Sequence, residues 1–131
     1  MKIDHIGIAV NSIEEAKAFY EALGLVISHI EVVDEQGVKT AFLKVGESNI
    51  ELLEPINESS PVYKFLQKRG KGIHHIAINV EGIENVLERL KGKGVRLINE
   101  KPVKGAHGKL VAFVHPASTG GVLLELCETK K

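Results

Sequence analysis

Two histidines and two glutamates hold corresponding places in the two halves of this 131-residue chain: His5 in IDHIGIAV, His75 in IHHIAINV, Glu51 in NIELLE and Glu125 in LLELCE. Each lies in a stretch of alternating apolar residues, and in a strand successive side chains point to opposite faces of the sheet. If Ile6, Ile8 and Val10 turn towards a covering helix, His5 turns away from it, beside Gly7 and Ala9. The second copy repeats the arrangement, with Ile76, Ile78 and Val80 inward and His75 beside Ala77 and Asn79. Glu51 between Ile50 and Leu52, and Glu125 between Leu124 and Leu126, face away in the same sense. Imidazole and carboxylate are ligands for a divalent metal of intermediate hardness, and four of them leave two places in an octahedron for a chelating substrate. Taken singly, each is an ordinary hydrogen-bonded histidine or a solvated glutamate. Their recurrence as a set argues for a metal site.

The elements that must position this set form an internal repeat. Residues 3–27 align without a gap on residues 73–97 at an offset of 70, with eight identities in 25 positions, and NIELLE matches LLELCE at an offset of 74. The four extra residues of the second half are expected in the turn HPASTGG. Each half opens with a short β-branched strand followed by a helix. In the first helix Ser12 and Glu15 form a capping box, Ala16, Phe19, Tyr20 and Leu23 recur at helical spacing, and Gly24 supplies the stop. In the second, Ile83, Val86, Leu87 and Leu90 repeat the stripe before Gly92 and Gly94. Three further strands are predicted in each half, at 25–33, 38–45 and 48–54 and at 95–99, 109–115 and 121–127. Ser60-Pro61 begins a short linking helix, with Val62, Phe65 and Leu66 inward, that ends in RGKG. The predicted fold is α+β, a single domain of two tandem βαβββ modules over about 1–56 and 72–131 with a linker over about 57–71. Their curved sheets close into a cup-shaped mixed sheet around the metal site.

Composition removes several alternatives. Hydrophobic residues make up 44% and charged residues 26% of the chain, as in a globular protein. Seventeen Lys and Arg balance seventeen Asp and Glu, so no basic excess points to nucleic acid or an anionic membrane surface. Cys127 is the only cysteine, which excludes an internal disulfide and a thiolate zinc cluster, and its run VLLELC reads as core. No stretch approaches the roughly 18 apolar residues of a membrane span, and the first apolar alternation begins at Ile3, so the expectation is a cytoplasmic protein.

With its quartet, its repeat and the strings DEQGV at 34–38, IELLEPINESSPVYKFL at 50–66, GIHHIAINV at 72–80, KGAHGK at 104–109 and FVHP at 113–116, the chain resembles the vicinal oxygen chelate superfamily, which includes glyoxalase and bleomycin resistance proteins. Within it the chain resembles the methylmalonyl-CoA epimerases from Ile3 to Glu125. The resemblance implies His5, Glu51, His75 and Glu125 as ligands of one divalent ion, cobalt first, with nickel, manganese, zinc or magnesium as alternatives. It implies a small CoA thioester as substrate and a homodimer as the assembly. It also implies Glu35 of DEQGV and Glu125 as the two proton-handling groups needed to invert one carbon. By spacing alone Glu35 reads as a solvated turn carboxylate, and it is the resemblance that gives it the catalytic role. Lys104, His107 and Lys109 either meet the CoA phosphates or belong to a hydrophilic loop, while His29, His74 and His115 read as structural. Other functions compatible with the fold are a lactoylglutathione lyase and a binding protein that sequesters its ligand without turnover.

Overall fold

The structure is a computed structural model and describes residues 1–129; the last two residues of the expected second module lie outside them. The chain divides into two compact units, residues 5–74 and residues 1–4 together with His75 onward. Both are mixtures of strand and helix, as the α+β reading requires.

The first unit holds most of β1 (Lys2–Ala9), then α1 (Ile13–Leu23), β2 (Ile27–Val33), β3 (Val38–Val45), β4 (Ser48–Pro55) and α2 (Pro61–Arg69). The strand order is β2-β3-β4-β1, with β1 parallel to β4 and the other pairs antiparallel. α1 covers one face, burying Val10, Ile13, Ala41, Leu43 and Leu52, with Ile8, Ala16, Tyr20 and Ile50 packed at the margin. Ser12 Oγ accepts from the Glu15 amide and Gly24 ends α1 at φ 108°, as the capping signals require.

Phe19 and Leu23 depart from the expected inward stripe, each being 66% exposed. At 100° per residue Phe19 lies about 120° round the helix from Ile13, on the shoulder away from the sheet. The inward column is Ile13, Ala16 and Tyr20, and Phe19 packs edge-on against Tyr20 with ring centres 5.2 Å apart.

The second unit holds most of β5 (Gly72–Asn79), then α3 (Ile83–Gly92), β6 (Val103–Lys104), β7 (Leu110–Val114) and β8 (Leu124–Glu128) in the order β5-β8-β7-β6. β5 is parallel to β8, matching β1 and β4. α3 buries Ile83 and Leu87 with Val80, Ala112, Val114 and Leu126, and Val86 and Leu90 flank them, which is the predicted stripe.

The strand expected at 95–99 is reduced to a single bridge, Leu97 to Val114. The reason lies at Asn99, whose side-chain Oδ1 accepts from the Phe113 amide at 2.8 Å, while the Ile98 and Asn99 amides both donate to Phe113 O. A side chain thus takes the place of a backbone carbonyl and the ladder stops. Ladder hydrogen bonds resume at the two-residue β6, beyond Pro102, which has no amide hydrogen to give.

Candidate metal and proton-transfer site

The two units carry the same buried pair. In the first, His5 Nδ1 lies 3.1 Å from Glu51 Oε2; in the second, His75 Nε2 lies 3.0 Å from Glu125 Oε1. All four side chains are buried. Register explains the pairing, because Gly7 is the β1 partner of Glu51 and Ala77 the β5 partner of Glu125. A hydrogen and a methyl group there leave the space into which each histidine, two residues earlier on the same face, leans towards the carboxylate.

The donor set fits a divalent ion. Two ligand atoms at about 2.1 Å from an octahedral ion and at right angles to one another are about 3.0 Å apart. Each pair has that spacing. The groups are one neutral-capable imidazole and one carboxylate, twice over, the N/O set expected from the sequence.

A phenylalanine lies across the strand from each carboxylate: Phe42 is the β3 partner of Glu51 and Phe113 the β7 partner of Glu125. Phe113 also meets His75 edge-on at 5.6 Å, fixing the imidazole plane, and Phe42 stacks on His29 at 5.6 Å. These two residues were not singled out from the sequence, although the repeated Ala-Phe of TAF and VAF was there to be read. They correspond at an offset of 71, between the 70 of the histidines and the 74 of the glutamates. One of the four extra residues therefore precedes β7 and only three lie between Phe113 and Glu125.

The turn that carries Glu35 has a counterpart in the GAHG turn, at an offset of 72. Asp34–Gln36 and Ala106–Gly108 are both single 3-10 turns immediately before the third strand of their module. Glu35 is exposed on the first. That turn is fixed at Gly37, φ 67°, whose carbonyl accepts from the Ile56 amide and whose α-carbon faces Ser60. On the second, His107 is held at φ 58°, a left-handed conformation uncommon for a side-chain-bearing residue, and Gly105 has no room for a Cβ, which would meet Val111 Cγ1 at 2.7 Å.

Lys104 and His107 are exposed on this turn, but Lys109 is committed elsewhere: its Nζ donates to both Asp4 carboxylate oxygens at 2.9 Å. Asn79 Nδ2 donates to the same Asp4 at 3.4 Å. Asp4 is buried and was not anticipated, since strand alternation gives no reason to single it out.

The remaining histidines are in packing roles. His115 Nδ1 accepts from the Ala117 amide and caps the turn Pro116–Ser118, and His74 lies edge-on to Phe65. Cys127 is a buried thiol packed with Ala77 and Val111, its Sγ donating to Ile78 O, as expected of a core residue.

Two further glutamates close the modules. Glu54 Oε1 accepts from the Ile13 amide at 2.8 Å, and the Glu128 carboxylate accepts from the Gly82 and Ile83 amides at 2.6 and 3.0 Å. The last residue of each NIELLE or LLELCE string is thus an anionic cap on its own module's helix. The Ile83 amide bond, and then that from Gly82, holds the Glu128 carboxyl below its ordinary pKa.

Residues 4–113 match the family model of the Glyoxalase/Bleomycin resistance protein/Dioxygenase superfamily. The chain belongs to that superfamily. It is 42% identical over 127 residues to the human mitochondrial methylmalonyl-CoA epimerase, covering 95% of this chain and 72% of the relative. The ethylmalonyl-CoA/methylmalonyl-CoA epimerase of Cereibacter sphaeroides is 40% identical over 128 residues, 95% of this chain and 96% of the relative. Among solved structures, a variant of Streptomyces coelicolor methylmalonyl-CoA epimerase in complex with 2-nitronate-propionyl-CoA superposes with a TM-score of 0.94 at 40% identity, covering 98% of this chain and 94% of the other. The α+β fold is therefore the fold of the epimerase structures. No helix among the described residues is long and apolar enough to cross a membrane.

Proposed function

We propose that the protein is a methylmalonyl-CoA epimerase. It interconverts the (R) and (S) thioesters, and His5, Glu51, His75 and Glu125 of its single two-module domain would hold one divalent ion. The observation that carries this reading is the buried imidazole–carboxylate pair found twice, at 3.1 and 3.0 Å, at positions matched by the internal repeat. Full-length relatives named as epimerases of this substrate support the choice of reaction. Cobalt is the first candidate; nickel, manganese, zinc and magnesium accept the same donors.

Carbon 2 of the substrate lies between a thioester carbonyl and a carboxylate, so its proton is acidic once negative charge on their oxygens is stabilised. The bound ion would supply that charge stabilisation. Inversion then needs one group to take the proton from one face and another to return a proton to the opposite face. Glu125, buried beside His75 and walled by Phe113, serves one face. Glu35, carried on a turn braced at Gly37, reaches the other. Lys104 on the GAHG turn carries an exposed ammonium for the CoA phosphates and His107 stands beside it on the same turn, while Lys109 is engaged by Asp4. The protein acts as a cytoplasmic homodimer.

The test is proton exchange. Glu35→Gln leaves the four ligands and Glu125 in place, so epimerisation should fall by a factor on the order of 10² to 10⁴. Incubated in deuterium oxide and followed by proton NMR, only the epimer whose C2 proton faces Glu125 should still exchange. Equal residual exchange from both epimers, or wild-type turnover, would remove Glu35 from the mechanism.

A further inference from the structure

The chain crosses from one compact unit to the other at two peptide bonds, Asp4–His5 and His74–His75. Both crossings fall immediately before a histidine of the proposed metal site. The two preceding residues correspond in the repeat, yet they are anchored differently. His74 packs on Phe65 of α2, inside the unit it is leaving. Asp4 is gripped by Lys109, at the end of the GAHG turn, with both carboxylate oxygens 2.9 Å from the ammonium, and by Asn79 on β5.

We propose that Asp4, through its ion pair with Lys109, is a positioning residue for His5. The inference rests on the metal site proposed above. Asp4 is the residue from which His5 starts its reach towards Glu51, whose Oε2 lies 3.1 Å from the His5 Nδ1. Successive Cα atoms are about 3.8 Å apart and β1 is extended through this point, so fixing Asp4 fixes the start of His5. The clamp is built for precision: a buried carboxylate with two charge-assisted bonds from one cation and a third donor from an amide. Asn79 shares its strand face with His75, so the amide that steadies Asp4 and the second imidazole stand on the same strand. Groups that orient a ligand without touching the ion govern metal affinity in many sites, and their loss costs about 10- to 100-fold.

Binding of cobalt to the metal-free full chain, measured by isothermal titration, tests this, with circular dichroism reporting the fold. Asp4→Asn and Lys109→Gln should each weaken cobalt binding by about 10- to 100-fold. The pair of variants separates positioning from simple charge. If Asp4 acted only as a nearby anion, Asp4→Asn would weaken binding and Lys109→Gln would tighten it. Lys109→Arg, which keeps a cation within reach of Asp4, should restore most of the affinity. If either variant fails to fold, Asp4→Glu preserves both charges and moves the carboxylate by one methylene, and should weaken cobalt binding several-fold. Wild-type affinity in folded Asp4→Asn or Asp4→Glu, tighter binding by Lys109→Gln, or a lowered melting temperature with cobalt affinity unchanged would overturn the proposal. A wild-type chain that binds no cobalt or other divalent ion would instead overturn the metal site on which it rests.

Discussion

Replacing Gly37 by alanine should damage stability and catalysis together, by amounts that follow from two separate contacts. The residue sits at φ 67°, ψ 31°, where a Cβ costs about 1–2 kcal/mol in backbone strain. That Cβ would also meet Ser60 Cβ at 3.0 Å and Ser60 Cα at 3.2 Å. Ser60 has little freedom to yield: its hydroxyl accepts from the Val62 amide, its carbonyl from the Lys64 amide, and it is 2% exposed. Overpacking of this kind costs about 1–3 kcal/mol, for a total of about 2–5. Gly46→Ala is the control, with φ 62° and nothing within 4 Å of the added methyl, so it should lose only the same backbone strain. Urea denaturation should therefore place Gly37→Ala about 1–3 kcal/mol below Gly46→Ala at an unchanged m-value. At a temperature where both are folded, Gly37→Ala should lower kcat, because the turn it distorts carries Glu35, while metal stoichiometry is retained. Equal destabilisation by the two alanines, or full activity in Gly37→Ala, would refute the view that Ser60 braces this turn.

His75→Ala should fold and lose its bound ion by elemental analysis; unchanged stoichiometry would remove the proposed ligand set. The Glu128 carboxyl titrates below its ordinary value in the folded chain, so its contribution to stability is present above the unfolded carboxylate range and is lost as pH falls through the depressed folded value. Glu128→Gln should accordingly be less stable than the parent at neutral pH and converge with it in acid, as followed by thermal melts across pH; a constant gap would refute the cap's charge dependence. Sedimentation at micromolar concentration should find a dimer, and a monomer alone would reject the proposed assembly.

The residues legible from sequence were those that the repeat and the strand period constrain jointly. His5, Glu51, His75 and Glu125 stand out because two copies agree on type and phase, and the structure buries each histidine with the glutamate of its own module. The same comparison would have corrected α1: Phe19 and Leu23 correspond to Arg89 and Lys93, solvent-facing in α3, so apolar type misled where the repeat did not. Asp4, Glu54 and Glu128 escaped because their partners lie 105, 41 and 45–46 residues away, and no local period encodes a bond of that span. The shortened strand at 95–99 failed for a similar reason, since only the Phe113 amide decides that Asn99 acts through its side chain.

The placement of the two anionic caps has a consequence for the order of assembly. A helix capped by its neighbours in sequence can be completed as soon as it is made. Here α3 waits for a carboxylate synthesised some forty-five residues later, at the far end of its module's last strand, whereas α1 has Ser12 at once and gains Glu54 on the Ile13 amide only later. On a ribosome, α3 emerges with only a left-handed glycine at its head and no side chain to hold its first amides. The first amides of α3 are therefore satisfied only by a contact of long sequence separation, the kind that slows folding because its loop must close first.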